Sequence, residues 1–488
     1  MSDRRTDVGG VAVATGHFIN NVRVDSPTTF EVRSPLDWTV KLADVARGGE
    51  HEARAAMSAA TDAFAKWAAL SAVERGEYLH RLADLIDASI EALATVECLD
   101  MAMLHESLRL RVISRGSRNF RAYADLAVEY QPRRWDSNST HNSVLRMPAG
   151  PTVVITPWNA PFLLSTWKCA PALAAGNTVV LKPAEWSPLS CSLLMDLVVK
   201  AEFPAGVFNL VQGVGTEVGA ALVGDSRVRR ISFTGSPSTG RVIGVTAAQN
   251  LVPFTAELGG KGPFVVCDDA DIDAAAQKAA LMYDDAGQVC LAGTRLLVQD
   301  TVRDDFVQRF TRATQRHVLG DSRDPTTTIS PLIHPDHLQR VEGFVNRAVA
   351  HGDHLVFGGS RLRDDGLWFT PTLIEPRSND SEIVQHEVFG PVLTLQTFRD
   401  DEQAIALANS TRYGLSAVVY TSSRPRAERF GAAVRAGTIW VNCFLVRDLT
   451  APFGGTGISG IGREGGNYAL DFYSDLKTLQ LKEDTTHG

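Results

Sequence analysis

The chain has 488 residues, 44% hydrophobic and 21% charged, with a net charge of −8. That length exceeds what one hydrophobic core organises, so two or three domains are expected, and the ordinary composition excludes a disordered or fibrous chain. The acidic balance provides no electrostatic footprint for nucleic acid or a membrane surface, no eighteen-residue apolar run predicts a transmembrane helix, and six cysteines without a CxxC spacing argue against a disulfide framework and structural zinc.

The N-terminus, Met1-Ser2-Asp3-Arg4-Arg5, lacks the apolar region of a secretory signal, and a reducing cytoplasm is the expected compartment. His17 to Val24 reads as two short strands around Asn20-Asn21. From Gly49 to about Leu99 the pattern is helical, with Leu79, Leu82, Leu85, Ile86, Ile90 and Leu93 at three- and four-residue steps. A second helical stretch, about Leu104 to Val128, carries the basic run Arg109 to Arg121, which reads first as a helix face. Asp136 to Asn142 is polar and reads as a loop or turn between segments able to pair as strands.

Beyond Gly150 the pattern changes. Thr152 to Thr156, Thr178 to Pro183 and Arg230 to Gly235 are apolar, β-rich runs, with helical segments at Ala170 to Ala175, Pro188 to Phe203 and Glu217 to Val223. Apolar strands alternating with helices indicate a parallel sheet covered on both faces. The alternation resumes with Gly262 to Cys267, a helix from Ile272, and strands at Arg295 to Val298, Val392 to Thr397 and Gly437 to Asn442. The fold class is therefore α/β with two doubly wound open-sheet domains, joined near Gly259-Gly260.

Several strings stand out. Gly213-Val214-Gly215-Thr216-Glu217-Val218-Gly219 misses the dinucleotide fingerprint GxGxxG by one residue, and taken alone is a loop entering a helix. Phe233-Thr234-Gly235-Ser236-Pro237-Ser238-Thr239 ends a strand and offers Ser236 and Thr239 at a helix N-terminus, where a pyrophosphate could sit or where Ser236 could serve as a plain cap. Lys182-Pro183-Ala184-Glu185 follows a strand, at the sheet edge where open α/β folds bind ligands; it could hydrogen-bond a ribose or be an exposed ion pair. A carboxylate there would repel a 2′-phosphate, favouring NAD over NADP. Pro157-Trp158-Asn159, Glu257-Leu258-Gly259-Gly260-Lys261, Gly287-Gln288-Val289-Cys290 and Glu387-Val388-Phe389-Gly390-Pro391 supply a thiol, an amide donor and two carboxylates.

With Pro452-Phe453-Gly454-Gly455, these strings in this order resemble the aldehyde dehydrogenase superfamily from about residue 17 to residue 482. The resemblance implies a NAD-binding domain (1–125 and 147–256), a catalytic domain (257–446), and a small β-strand oligomerisation arm (126–146 and 470–488) that joins subunits into homodimers or homotetramers. Residues 447–469 would return to the cofactor side. It implies NAD-dependent oxidation of a small-molecule aldehyde to a carboxylic acid through a cysteine thiohemiacetal and thioester. Cys290 would be the nucleophile, Asn159 and the Cys290 N–H the oxyanion donors, and Glu257 the base that activates water. Ile155, Pro157, Trp158, Lys182, Ala184, Glu185, Gly215, Phe233, Gly235, Ser236, Thr239, Leu258, Glu387 and Phe389 would contact the cofactor. No metal is expected.

Trp440 to Leu449 looks like the segment of muconic-type semialdehyde dehydrogenases in which two arginines grip a substrate carboxylate. Arg447 matches one; Arg115 is the candidate for the other, with Arg118 and Arg121 as alternatives farther along the same helical stretch. Arg447 could instead pair with Asp448. Simple aromatic or aliphatic aldehydes, or a non-catalytic role, are the alternatives. Gly457 and Asp285 stand where the family commonly has Lys and Asn, and Asp100-Met101-Ala102-Met103 replaces a Gly-Lys turn.

Overall fold

A computed structural model describes residues 4–482. The first three residues of the N-terminal reading and residues 483–488 of the expected arm lie outside the described residues. An eight-stranded sheet is built around five parallel strands in the order Phe254–Glu257, Arg230–Thr234, Thr152–Ile155, Val179–Lys182 and Phe208–Leu210. Antiparallel strands close both edges: His17–Ile19 with Val22–Val24 on one side, and Gly460–Ile461, from near the C-terminus, on the other.

The strands are apolar throughout because both faces are covered. Val153, Ile155, Val180 and Ile231 point to one layer, where they meet Ala53, Ala56 and Met57 of the helix Glu50–Ala69. Val154, Val179 and Leu181 point to the other, against Phe162, Leu173 and Leu194.

A second sheet has seven strands, ordered His354–Phe357, Thr372–Glu375, Val392–Phe398, Arg295–Gln299, Pro263–Val266, Ser416–Tyr420 and Thr438–Val441. All its pairings are parallel except that of His354–Phe357. The first sheet leaves off at Glu257 and the second begins at Pro263, on either side of Gly259-Gly260. A three-stranded antiparallel sheet joins Arg134–Ser137, Thr140–Pro148 and Ser474–Lys482. Among the described residues no helix is long and apolar enough to cross a membrane.

Several expectations are corrected. The stretch from Gly49 to Leu99 is three helices, Glu50–Ala69, Ala72–Ala88 and Ile90–Met101. Ser71 and Glu74 cap each other's backbone N–H groups and start the second one. The helix expected at Ala170 spans Pro161–Ala174, with Pro161 in its first turn. The helix Ile113–Glu129 occupies 126–129, where the arm was expected to begin, and Asp136 to Asn142 belongs to a hairpin turning at Asn138-Ser139. The hairpin Thr29–Ser34 with Asp37–Ala46 was not foreseen.

Candidate active site

Strand register explains why motifs far apart in the chain meet. Lys182 pairs with Ile155, Ile155 with Phe233, and the neighbouring Thr234 with Glu257. Four expected site segments therefore leave the carboxyl edge of the first sheet side by side. The second sheet presents its opposite edge. Gly259-Gly260-Lys261, Cys290 to Thr294, and Glu387 to Pro391 lead into the strands at Pro263, Arg295 and Val392. The cleft lies between a carboxyl edge and an amino edge, lined by loops from both units.

The Cys290 loop is tightly constrained. Asp285, Ala286 and Gly287 are all left-handed, with φ of 51°, 54° and 68°. A Cβ on Gly287 would meet the Gly390 carbonyl at 2.2 Å, so only glycine fits. Gln288 is buried and ties the loop down: its amide oxygen accepts from Ile333 N at 3.0 Å, and its nitrogen donates to the Asp285 carbonyl at 3.1 Å. Asn159 Nδ2 reaches across from the first unit to the Gln288 carbonyl at 2.9 Å, two residues before the thiol. Gly260 packs so closely that a Cβ there would lie 2.4 Å from the Cys290 carbonyl. Cys290 is half-buried, whereas Cys98, Cys169, Cys191 and Cys267 are fully buried. Burial, then the charges of Glu387 and Glu257, push its thiol up to about 12, while Arg447 opposes them. The resting sulfur is protonated, and attack on a carbonyl requires its proton to leave.

Glu257 is no surface carboxylate. It is buried, and neither carboxyl oxygen has a hydrogen-bond partner among the described residues. Gly454 opposite it has no side chain; a Cβ there would come within 2.8 Å of Oε1. Burial, then the charge of Glu464, raises the Glu257 pKa well above the usual carboxylate range, against Lys168, Arg463 and Arg447. Glu464 is fixed by Lys168 Nζ at 2.5 Å, Trp167 Nε1 at 2.6 Å and Ser232 Oγ at 3.2 Å. This network was not foreseen. Its one sequence signal was a lysine between Trp167 and Cys169 in an otherwise uncharged helix; a lysine so placed needs a buried acid.

On the cofactor side, Lys182 Nζ pairs with Glu185 at 2.8 Å, and the lysine is almost wholly buried rather than exposed. Gly215 lies beside them, its would-be Cβ 3.9 Å from Lys182 Nζ. Ser236 caps the helix Pro237–Gln249 by accepting from Thr239 N at 3.2 Å. Gly235 is required because a Cβ would strike the Phe233 ring at 2.5 Å. Leu258 packs on Gly240 and donates its N–H to Ser459 at 2.8 Å. Glu387 accepts from Gly260 N at 2.8 Å and lies so near Gly259 that a Cβ there would displace its carboxylate. Burial pushes its carboxyl up to about 7, against that bond, Arg340 and Lys261. Pro157, Trp158 and Ala184, from the loops after Ile155 and Lys182, are half-buried in the cleft wall, and Trp158 stands edge-on to Phe389 at 5.3 Å.

Arg115 and Arg447 come together. Burial, then the charges of Arg447 and Arg118, lowers the Arg115 pKa to about 10; burial also lowers that of Arg447, against the charges of Cys290, Glu257 and Glu464. Among the described residues neither forms an ion pair or donates a hydrogen bond. Arg447 lies 3.8 Å over the Phe453 ring. Its suggested partner Asp448 is occupied with Thr450, at 2.8 Å from N and 2.7 Å from Oγ1. Arg121 is excluded as an alternative by its ion pairs to Asp84 and Asp87, and Arg118 is exposed. Gly457 is explained too: it is left-handed, and a Cβ would meet the Arg412 carbonyl at 2.4 Å.

Asp285 adds a testable feature. Burial pushes its carboxyl up to about 6, against Arg111. A carboxyl whose pKa is raised on folding favours the fold most below its unfolded value, and loses that advantage as pH rises through about 6. Asp285→Asn keeps the shape and the tolerance of left-handed backbone. The melting temperatures of variant and parent are expected to be close near pH 4, and the variant's to be higher near neutrality by ~1 kcal/mol of stability. Calorimetry across that range checks this; a gap independent of pH defeats it.

Residues 22–479 match the sequence model described as Aldehyde dehydrogenase family. The 2-hydroxymuconic semialdehyde dehydrogenase of Pseudomonas sp. (strain CF600) is 39% identical over 482 residues, covering 96% of this chain and 99% of that protein. The 2-aminomuconic semialdehyde dehydrogenase of Danio rerio is 38% identical, over 89% of this chain and 91% of that one. A solved structure of P. syringae indole-3-acetaldehyde dehydrogenase, in complex with NAD+ and IAA, superposes with a TM-score of 0.95 at 34% identity, covering 97% and 98% of the two chains.

Proposed function

The chain belongs to the aldehyde dehydrogenase family, and from that premise we propose that Cys290, Asn159 and Glu257 carry the oxidation of an aldehyde to a free carboxylic acid. NAD is the cofactor, and it supplies the hydride acceptor when bound. The cleft suits it: Glu387 reaches the backbone of Gly260 beside the Cys290 loop, a close approach that a side chain on Gly259 would block. The observation that supports the reading most is the meeting of Asn159 with the Cys290 loop across the cleft, with a partnerless carboxyl, Glu257, close enough to act on the thiol's ionisation.

Cys290 sulfur attacks the carbonyl carbon as its proton passes to the Glu257 carboxylate, which releases it to solvent before the hydrolysis step. The charge that develops on oxygen is met by the Asn159 amide and the Cys290 N–H; one such donor contributes roughly 3 to 4 kcal/mol. Loss of hydride from the tetrahedral carbon leaves a thioester on Cys290. Glu257 then draws a proton from water, which attacks the thioester and frees the thiol. A buried carboxyl without partners, its pKa raised, is a stronger base once ionised than a surface one. Transfer to CoA would not require this group. Lys182 and Glu185 hold the adenosine ribose, and the Glu185 carboxylate disfavours a 2′-phosphate.

The substrate is an aldehyde bearing a carboxylate, such as a semialdehyde from aromatic ring cleavage. Two half-buried guanidinium groups, of which Arg447 acts on the thiol's ionisation, support this: among the described residues neither has an ion pair or donates a hydrogen bond, and such cations are stable only when a ligand or water meets them. Arg447→Ala is expected to raise KM for carboxylated semialdehydes ~100-fold and for benzaldehyde less than about threefold. NADH absorbance over acidic, aromatic and aliphatic aldehydes, with and without CoA, tests both readings. Equal effects on both substrate classes end the carboxylate reading, and activity that depends on CoA ends the hydrolytic one.

The protein assembles as a homodimer or homotetramer. Leu476 and Leu481 on the three-stranded sheet, and Val242 and Val245 on the helix Pro237–Gln249, are exposed apolar side chains that a second copy would cover. The protein works in a reducing cytoplasm, which suits six cysteines none of which is paired.

A further inference from the structure

The helix Pro335–Ala350 begins at the cleft and presents His337 and Arg340, one turn apart, to the segment Glu387–Phe389. Arg340 Nη2 donates to the Glu387 carbonyl at 2.7 Å, and its Nη1 donates to the Val388 carbonyl. His337 Nε2 lies 2.7 Å from the Phe389 carbonyl and donates to it. Three consecutive carbonyls are thus held from one helix face.

The segment needs holding. Phe389 is left-handed at φ 60°, a conformation that aromatic residues rarely adopt and that persists only where surroundings impose it. The His337 ring also stands edge-on to Trp158 at 5.2 Å and to Phe389 at 6.1 Å, while Trp158 and Phe389 are 5.3 Å apart. The three rings form a closed triangle across the cleft, and Trp158 directly precedes Asn159. His337 is almost fully buried, and burial lowers its pKa to about 4. It is therefore neutral at working pH, and the short contact to a carbonyl places its one proton on Nε2.

We propose that His337 and Arg340 are positioning residues for the oxidation: they impose the backbone shape that directs the Glu387 carboxylate and the Phe389 ring at the nicotinamide half of NAD. The proposal rests on the reading of Glu387 and Phe389 as cofactor contacts. It makes the polar face of the helix Pro335–Ala350 decide how fast hydride leaves the substrate.

The test compares His337→Phe, which keeps a ring and loses the donor, with His337→Gln, which keeps a donor and loses the ring. Arg340→Met is the independent second site. Each is assayed for NAD KM, for the single-turnover rate of NADH formation, and for cofactor-free hydrolysis of p-nitrophenyl acetate, which needs the thiol and water but no hydride acceptor. H337F and R340M are expected to raise NAD KM and to slow single-turnover NADH formation by about 10-fold each, the worth of a buried hydrogen bond. Ester hydrolysis is expected to stay within about twofold, and H337Q to recover most of the loss. Unchanged NADH formation in H337F and R340M, or a parallel fall in ester hydrolysis, overturns the proposal. Glu387→Gln separates the two layers. If it too leaves NAD KM and hydride transfer untouched, the cofactor reading itself has failed and the proposal falls with it. If it shifts them while H337F and R340M do not, only the positioning role is lost.

Discussion

Cys290→Ala is expected to abolish aldehyde-dependent NADH formation, by roughly 10⁵-fold or more, while NAD still binds with its parent affinity. The size follows from the chemistry: without a sulfur there is no tetrahedral adduct from which hydride can leave, and the remaining donors stabilise a charge that never forms. No other thiol can substitute from the core, because Cys98, Cys169, Cys191 and Cys267 are fully buried and their pKa values are all raised by burial. Cys443 is half-buried but sits on a different loop, after the strand Thr438–Val441. NADH absorbance and titration of NAD by tryptophan fluorescence read the two halves of the expectation. Retained turnover would remove Cys290 from the mechanism.

Glu257→Gln is the second large effect. Its expected signature is a full burst of NADH, about one equivalent per active subunit, followed by a steady state slower by about 10² to 10⁴. Gln fills the same space and cannot take a proton from water. The pH dependence carries the sign. Because burial and Glu464 raise the Glu257 pKa, the carboxylate fraction grows with pH over a range displaced upward from that of an ordinary carboxylate. Thioester hydrolysis in the parent should therefore climb over that range, and the variant should lose the climb. Rapid quenching with measurement of bound acyl group decides: deacylation at the parent rate in the variant would assign the base elsewhere.

Much of the two-sheet architecture was legible because parallel strands buried on both faces are written as unbroken apolar runs. Thr152 to Ile155 and Val179 to Leu181 announce themselves in this way, and Pro157 and Pro183 mark where they stop. Less was legible where a boundary depends on capping. Nothing in the spacing of Leu79, Leu82 and Ile86 marks a break before them, yet Ser71 and Glu74 satisfy each other's N–H groups and divide the stretch. That signal was present and overlooked, as was Pro161 opening its helix. Other features were out of reach. Glu464 meets Lys168 over 296 residues of chain, and no local pattern encodes such a pair. His337 looks like any helical histidine until a loop fifty-two positions later lays its carbonyl against the ring. The candidate nucleophile and carboxylates could be named from strings because their chemistry demands particular residue types. The groups that hold them in place are interchangeable in kind, and only tertiary packing selects them.

The short strand Gly460–Ile461 closes the edge of the first sheet beside Glu257, and Ser459 accepts the Leu258 N–H and donates its hydroxyl to the Gly259 carbonyl. The first unit thus borrows its last strand from the far end of the polypeptide. During synthesis the ribosome must release nearly the whole chain before that edge can be sealed, so a truncated or stalled product holds a thiol but no finished pocket around it. Reactivity toward aldehydes arrives late, as one of the final acts of folding.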